Sequence, residues 1–277
     1  MPIQGTDAAG AGLRGTEHLN IDYEGHVLIV TMNRPEAKNA LSPEMLVGMA
    51  DAWDEIDSNP DILVAILTGA GGTFCAGADL KAMNSAVENS EASQRFREDT
   101  GLAWKALLRH HQLTKPLIAA VEGYAVAGGT EILQATDIRV AGETAKFGVV
   151  EVTRGLFPLG GSTVRLRRQI GYTKAAELLL TGGTISATEA ERIGLIGHVV
   201  PDGKALDKAR EIADVIASNA PLAVQAVKRS LNATESLPEA EALKVELEIG
   251  LPIFGTADSK EGTLAFKEKR QPKYTGT

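Results

Sequence analysis

The sequence predicts an α/β protein with a helical C-terminal region. β-rich apolar runs alternate with helical runs up to about residue 200, and beyond it helical runs follow one another with almost no strand between them. The length of 277 residues fits one large domain or two small ones. The expected division is a flexible small-residue tail over 1–18, a strand–helix core over 19–200 and a helical region over 201–277. No internal repeat is visible, and low complexity is confined to the first fifteen residues.

Residues 21–23 and 27–32 read as strands joined at Glu24-Gly25, a hairpin signal. The stretch NRPEAKNAL reads as a loop. Ser42-Pro43 then starts a helix, with serine as cap and proline in the first turn, running to about residue 58. The β-rich run 62–68 predicts a buried strand, followed by the glycine-rich loop GAGGTFCAGAD. Residues 84–100 are polar and weakly patterned, which predicts a mobile surface segment, and a helix is expected to end near 111. A buried strand over 116–121 leads through the turn Glu122-Gly123-Tyr124 to a helix opened by Ala127-Gly128-Gly129-Thr130. A strand follows at 138–141 and a short extended piece at 146–148, then short helices at 162–170 and 173–180. Ser186 with Glu189 three positions on resembles a capping box, and 199–201 a short edge strand. Helices are expected over 205–219, 222–232, 238–249 and 259–270.

Composition narrows the function classes. Hydrophobic residues make up 44% and charged residues 23%, as in an ordinary globular protein whose core needs no disulfide or metal staple. The single cysteine, Cys75, excludes a disulfide framework and points to a reducing compartment, so a cytoplasmic location is expected. No apolar run approaches the ~18 residues that span a bilayer, and residues 1–15 lack the layout of a signal peptide. A net charge of −8 argues against a broad nucleic-acid surface.

The motif search excludes several chemistries. The glycine-rich pieces match neither GxxxxGK[ST] nor GxGxxG, and no GxSxG nucleophile elbow occurs. The five histidines (His18, His26, His110, His111, His198) lack metal-ligand spacing, so no metal is expected. Cys75 has no nearby base and reads as a small buried residue. Two backbone sites remain: residues 75–79, where the chain bends after a strand, and residues 127–129, which open a helix. Small residues let a ligand approach the backbone, and two N–H groups converging on one carbonyl oxygen make an oxyanion hole. The same glycines would equally serve tight helix–sheet packing. Glu131 in the helix's first turn and Glu151 twenty positions on stand in mostly apolar sequence, where a carboxylate is expensive to bury unless used or paired. Taken singly, each also reads as a solvated acid, Glu131 favoured by the helix dipole.

Several separated motifs in one order resemble the enoyl-CoA hydratase (crotonase) family: IVTMNRP at 29–35, FCAGADLK at 74–81, IAAVEGYAVAGGTE at 118–131, FGVVE at 147–151 and EGTLAFKEKR at 261–270. The resemblance covers nearly everything after the N-terminal tail. It implies a crotonase-like spiral of ββα repeats followed by a C-terminal helical trimerisation region, assembled as a homotrimer or as a hexamer built from two trimers. It implies hydration of a trans-2-enoyl-CoA thioester to 3-hydroxyacyl-CoA in fatty-acid or sterol side-chain β-oxidation. No separate cofactor is implied, because CoA is part of the substrate, and neither a nucleic-acid nor a membrane partner is expected.

By position, the resemblance makes Ala78 and Gly128 the oxyanion amides, and Glu131 and Glu151 the paired catalytic carboxylates. It lays Ala76, Ala78, Asp79, Leu80 and Lys81 along the CoA, brings Phe266 and Lys269 to the CoA nucleotide, often that of a neighbouring subunit, and turns Lys38 towards a CoA phosphate. The chemistry agrees: as water adds at C3 and a proton at C2, the thioester oxygen gains negative charge, and two carboxyl groups with separated pKa values can take and give the protons. Which is the stronger base stays open, since coupled groups titrate as a pair.

The chain departs from the family in reading AGGTE and FGVVE where many hydratases read GGGCE and FGQPE. Val149 and Val150 are therefore expected to make the acyl wall more apolar, and residues 84–100 to line its far end, which suits a bulky or branched acyl group, a sterol-derived one included. The rivals are a double-bond isomerase, which needs one principal acid/base, and a non-catalytic CoA-thioester binder or scaffold with an RNA role.

Overall fold

Strand alternation builds the centre of the molecule. The computed structural model describes residues 12–79 and 91–277. Its main sheet has six strands in the order β1-β2-β3-β4-β6-β9, formed by β1 (Leu19–Glu24), β2 (Val27–Met32), β3 (Val64–Gly69), β4 (Leu117–Val121), β6 (Ile138–Gly142) and β9 (His198–Val200). The β1–β2 hairpin is antiparallel and every other pairing is parallel. A second sheet, β5-β7-β8, joins β5 (Tyr124–Val126), β7 (Lys146–Gly148) and β8 (Thr184–Ser186).

Both faces of the main sheet are buried, which is why its central strands read as continuous apolar runs. Leu28, Val30, Ala65, Leu67, Leu117 and Ala119 face one way into the larger core. Against them packs α1 (Pro43–Ser58), through Met45, Met49, Trp53 and Ile56. The alternate residues Ile29, Val64, Ile66, Ile118 and Ala120 face α8 (Ala205–Ala217). That helix presents Ala205, Ala209 and Ala213, four apart, so small side chains let it lie close on the sheet.

The remaining helices are α2 (Glu91–Glu98), α3 (Gly101–Ala106), α4 (Gly128–Leu133), α5 (Ser162–Gln169), α6 (Tyr172–Thr181), α7 (Ala187–Arg192), α9 (Pro221–Thr234), α10 (Glu239–Gly250) and α11 (Ala257–Glu268). The caps hold as expected: Ser42 accepts from the Met45 amide at 3.2 Å, and Ser186 from the Glu189 amide at 3.2 Å. Among the described residues, no helix is long and apolar enough to cross a membrane.

Three expectations need correction. Residues 12–18 are not a loose tail: Leu13 packs against the core, its amide donates to the Tyr23 hydroxyl, and Thr16 bridges Leu19. Within the polar 84–100 segment, residues 91–98 form α2, tied to α1 by the bidentate Arg95–Asp51 pair; residues 84–90 lie outside the described ones. The helix expected to reach 111 stops at Ala106, and Leu108 follows with φ +52°.

Asn39 locks the loop beside the glycine-rich turn. It is fully buried, donates to the carbonyls of Ala70 (2.9 Å) and Thr73 (2.6 Å), and accepts from the Arg34 amide (2.8 Å). Its φ of +52° is one that asparagine tolerates better than most residues. Asn39→Ala strands those buried partners and is expected to lower unfolding free energy by about 2–4 kcal/mol in urea titration. A loss under ~1 kcal/mol would show that other contacts hold this loop.

Candidate active site

The site forms where the loop after β3 is stitched to β5. The Phe74 amide donates to the Glu122 carbonyl (2.8 Å), the Cys75 amide to the Tyr124 carbonyl (2.8 Å), and the Val126 amide to the Cys75 carbonyl (3.0 Å). On the other side the Leu41 amide donates to the Gly77 carbonyl (2.8 Å) and the Asp79 amide to the Leu41 carbonyl (3.2 Å). Both bonds involve the neighbours of Ala78, so the Ala78 amide points away from that pairing.

Here the backbone is tight. Gly77 has φ +89°, and a Cβ there would come within 2.6 Å of the Ala127 Cβ and 3.1 Å of the Gly128 nitrogen. Ala127 itself has φ +50° and ψ −126°, strained for a residue with a side chain, and is anchored by its amide donating to the Gly148 carbonyl at 2.8 Å. The turn brings the start of α4 beside Ala78: a Cβ built on Gly128 lies 3.7 Å from the Ala78 nitrogen. Neither the Ala78 nor the Gly128 amide donates to a protein acceptor among the described residues. Two N–H groups with no acceptor among the described residues therefore stand together on one wall of a cavity of about 550 Å³.

The same cavity is lined by Glu131 and Glu151. Glu131, in the first turn of α4, is only 4% exposed. Its Oε1 accepts from the Ser162 amide at 3.2 Å, and the amides of Gly160 and Gly161 also face the carboxylate. Gly160 must be glycine for this approach, because a Cβ there would sit 2.6 Å from Glu131 Oε2. Burial raises the Glu131 pKa, and these donors at the start of α5 offset part of that rise.

Glu151 opens the short 3-10 turn Glu151–Arg154 after β7. Its Oε2 is buried with no hydrogen-bond partner among the described residues. Burial, reinforced by the nearby Glu131 charge, pushes its pKa up to about 7, against the opposing pull of its own backbone amide and, less, of Arg154. The two acids thus differ in their surroundings: one has several donors, and the other has an unsatisfied oxygen.

Around them, Leu41, Trp104, Leu107, Val126, Val150, Leu156, Phe157 and Leu159 make most of the cavity wall apolar. Phe157 is 62% exposed and sits at the mouth. Val150 takes the expected wall position, but Val149 does not: it is buried in the larger core, because successive side chains there point to opposite sides. Thr130, beside Glu131, faces inward as well, its hydroxyl donating to the Ala125 carbonyl at 2.5 Å.

Of the residues expected to meet CoA, some line this cavity and others do not. Ala76, Ala78 and Lys38 line the cavity, with Lys38 Nζ 5.5 Å from the centre of the Tyr124 ring. Asp79 is turned into an ion pair with Arg34 (2.9 Å) and is not part of the wall. Leu80 and Lys81 lie outside the described residues. Phe266, on α11, and Lys269, just after it, do not reach this cavity within the chain; Phe266 is 88% exposed. Cys75 is buried, with its thiol pushed up to about 12 by desolvation, which makes it packing rather than a nucleophile. Among the described residues, no cluster of three or more His, Cys, Asp or Glu side chains could hold a metal ion.

Sequence reasoning missed the donors to Glu131. The signal was Gly160-Gly161-Ser162 at the opening of a helix, but nothing local says that its amides meet a residue 31 positions away.

The geometry has many relatives. The sequence pattern of a family described as enoyl-CoA hydratase/isomerase matches residues 22–277. Enoyl-CoA hydratase EchA19 of Mycobacterium tuberculosis is 58% identical over 254 residues, covering 92% of this chain and 95% of that protein. The (E)-benzylidenesuccinyl-CoA hydratase of Thauera aromatica is 40% identical over 260 residues, covering 93% and 99%. The crystal structure of an enoyl-CoA hydratase from M. tuberculosis superposes with a TM-score of 0.85 at 41% identity, covering 95% of this chain and all of that one.

The Glu151 environment has a measurable cost. A carboxyl whose folded pKa is raised prefers its neutral form in the fold, so the native state is favoured below the ordinary value of 4.5 and loses that preference as pH rises towards 7. Glu151→Gln is therefore expected to raise Tm above pH 7 and to leave it nearly unchanged below pH 4.5. Equal shifts at both pH values would mean that charge burial is not the cause.

Proposed function

The chain belongs to the enoyl-CoA hydratase/isomerase family, and we propose that it is a hydro-lyase adding water across the 2,3 double bond of a trans-2-enoyl-CoA thioester to give 3-hydroxyacyl-CoA. The observation that carries this reading is the shared cavity: two amides without an acceptor among the described residues and two unlike carboxylates on the walls of one apolar cleft.

The thioester oxygen sits between the Ala78 and Gly128 N–H groups, which take up the charge that develops as the enolate forms. Each such donor is worth roughly 10²–10³ in rate. Glu131, supplied with donors, is the carboxylate that stays ionised and takes a proton from water as its oxygen bonds C3. Glu151, which keeps its proton to about pH 7, delivers it to C2. Water is consumed, the double bond becomes two single-bonded centres, and exchange with solvent returns the two acids to their starting states. The acidic residues are coupled, so the division is one of tendency within a pair.

No cofactor beyond the CoA of the substrate enters this scheme. Lys38, Ala76 and Ala78 contact the CoA portion of the substrate from the cavity wall, and the family resemblance extends that contact to Leu80 and Lys81. Phe266 and Lys269 reach a CoA nucleotide from a second copy of the chain, a role to which Phe266's exposure is suited. Assembly as a homotrimer or hexamer is supported by the apolar face of α9, α10 and the turn after them, where Val227, Leu231, Leu247, Leu251 and Phe254 lie open. The setting is fatty-acid or sterol side-chain β-oxidation in the cytoplasm, with no nucleic-acid partner. A bulky or branched acyl group is supported by the apolar wall with Val150 and by an aryl-bearing thioester in the name of the T. aromatica relative.

Glu131→Ala and Glu151→Ala are each expected to lower hydration by about 10²–10⁴, measured as loss of enone absorbance over a panel from crotonyl-CoA to steroid side-chain enoyl-CoA. Full activity in either variant would remove the paired role and favour the isomerase reading, which needs one acid/base. Because Glu151 acts in its protonated form, kcat/KM is expected to fall as pH rises through about 7. A rate that instead climbs through that pH would assign Glu151 as the base.

A further inference from the structure

Behind Glu131 runs a short polar chain that the reaction scheme has not used. Ser162 is fully buried, and Gln134, one turn of chain beyond Glu131, is 2% exposed. Gln134 Nε2 donates to the Thr130 carbonyl at 3.1 Å and to the Ser162 hydroxyl at 2.8 Å. A carbonyl can only accept, so Thr130 fixes which end of the amide is nitrogen. Both amide hydrogens are then used, and the Ser162 oxygen is an acceptor towards Gln134. Its own proton cannot go back along that bond. Among the described residues the Glu131 carboxylate also faces this hydroxyl, and the Ser162 backbone amide fixes Ser162 against it by donating to Glu131 Oε1 at 3.2 Å.

Gln134 is itself held. Its backbone carbonyl accepts from Gln169 Nε2 (2.8 Å) and Arg139 Nη2 (3.1 Å). Its Oε1 is buried without a hydrogen-bond partner among the described residues, an arrangement costly for an amide whose role is packing alone. An apolar side chain at 134 would avoid that cost. The polar residue is explained by what its nitrogen does to Ser162.

We propose that Gln134 and Ser162 are positioning residues for hydration: the Gln134 amide, pinned by the Thr130 carbonyl, obliges the Ser162 hydroxyl to donate to Glu131, holding that carboxylate ionised and aimed at the attacking water. This deepens the hydratase reading and rests on it for its effect on turnover, but the hydrogen-bond direction can be tested without turnover.

Gln134→Met keeps the side-chain length and removes the amide; Ser162→Ala removes the hydroxyl and keeps the backbone amide. With native far-UV circular dichroism as a check on folding, each variant is expected to lower kcat roughly tenfold with little change in KM, the size of one charge-assisted hydrogen bond. The acidic limb of kcat/KM, which reports Glu131, is expected to move up by about half a unit to one unit. The double variant is expected to be no worse than Ser162→Ala, because both act through one proton. Independently, carbon-13 NMR titration of the full chain labelled at glutamate carboxyls is expected to show the Glu131 midpoint raised in both variants. An unshifted Glu131 midpoint in Gln134→Met, or losses in kcat that add in the double variant, would overturn the relay. If the wild-type protein turns over no enoyl-CoA while the titration shifts, the hydratase reading fails and the hydrogen-bond chain stands.

Discussion

The backbone bonds between residues 74–78 and their two neighbours are the constraint on which the site depends. The loop after β3 is held on one side by β5 and on the other by Leu41. Only with both in place do the amides at 78 and 128 stand together. Main-chain atoms supply these donors, and the adjoining glycines at 77 and 129 leave no room for a side chain that would push them apart. Two positive-φ residues, Gly77 and Ala127, carry the strain of bringing the turns so close. That strain is offset by a rigid surrounding sheet buried on both faces.

Electrostatics then distinguish two residues of the same type. Burial acts in the same direction on both carboxyls, and the difference comes from what each one meets. Glu131 lies against the opening of α5, where helix-start amides converge. Glu151 lies against apolar side chains and the first acid's charge. In the proposed hydration the two glutamates therefore divide into a proton acceptor and a proton donor by their surroundings alone.

Much of this architecture is legible in the sequence. Period-2 alternation with apolar residues on both faces reads as a buried strand, and Ser42-Pro43 is a local signal for a helix start. The positions of both amides and both acids came with motifs whose order is distinctive. What was not legible is of two kinds. Three-residue strands such as β5, β7 and β8 are too short to show a period, so the second sheet was seen only as turns and extended pieces. Long-range partners leave no local trace: the Gly160–Ser162 donors, the Arg34–Asp79 pair and the orientation of Val149 are set by packing between distant segments. The polar run before residue 100 also looked structureless, because α2 is held by a surface ion pair rather than by an apolar stripe.

The partnerless oxygen of Glu151 also bears on how such a chain diverges. Most substitutions weaken a fold, but one that discharges a buried acid does the opposite. A duplicated gene released from selection for turnover would therefore be drawn to shed this acid early. It would keep the main-chain pocket for the thioester oxygen, which no single side chain encodes. The descendant is a sturdier acyl-CoA binder with an intact cradle, ready to acquire a different chemistry at the vacated position.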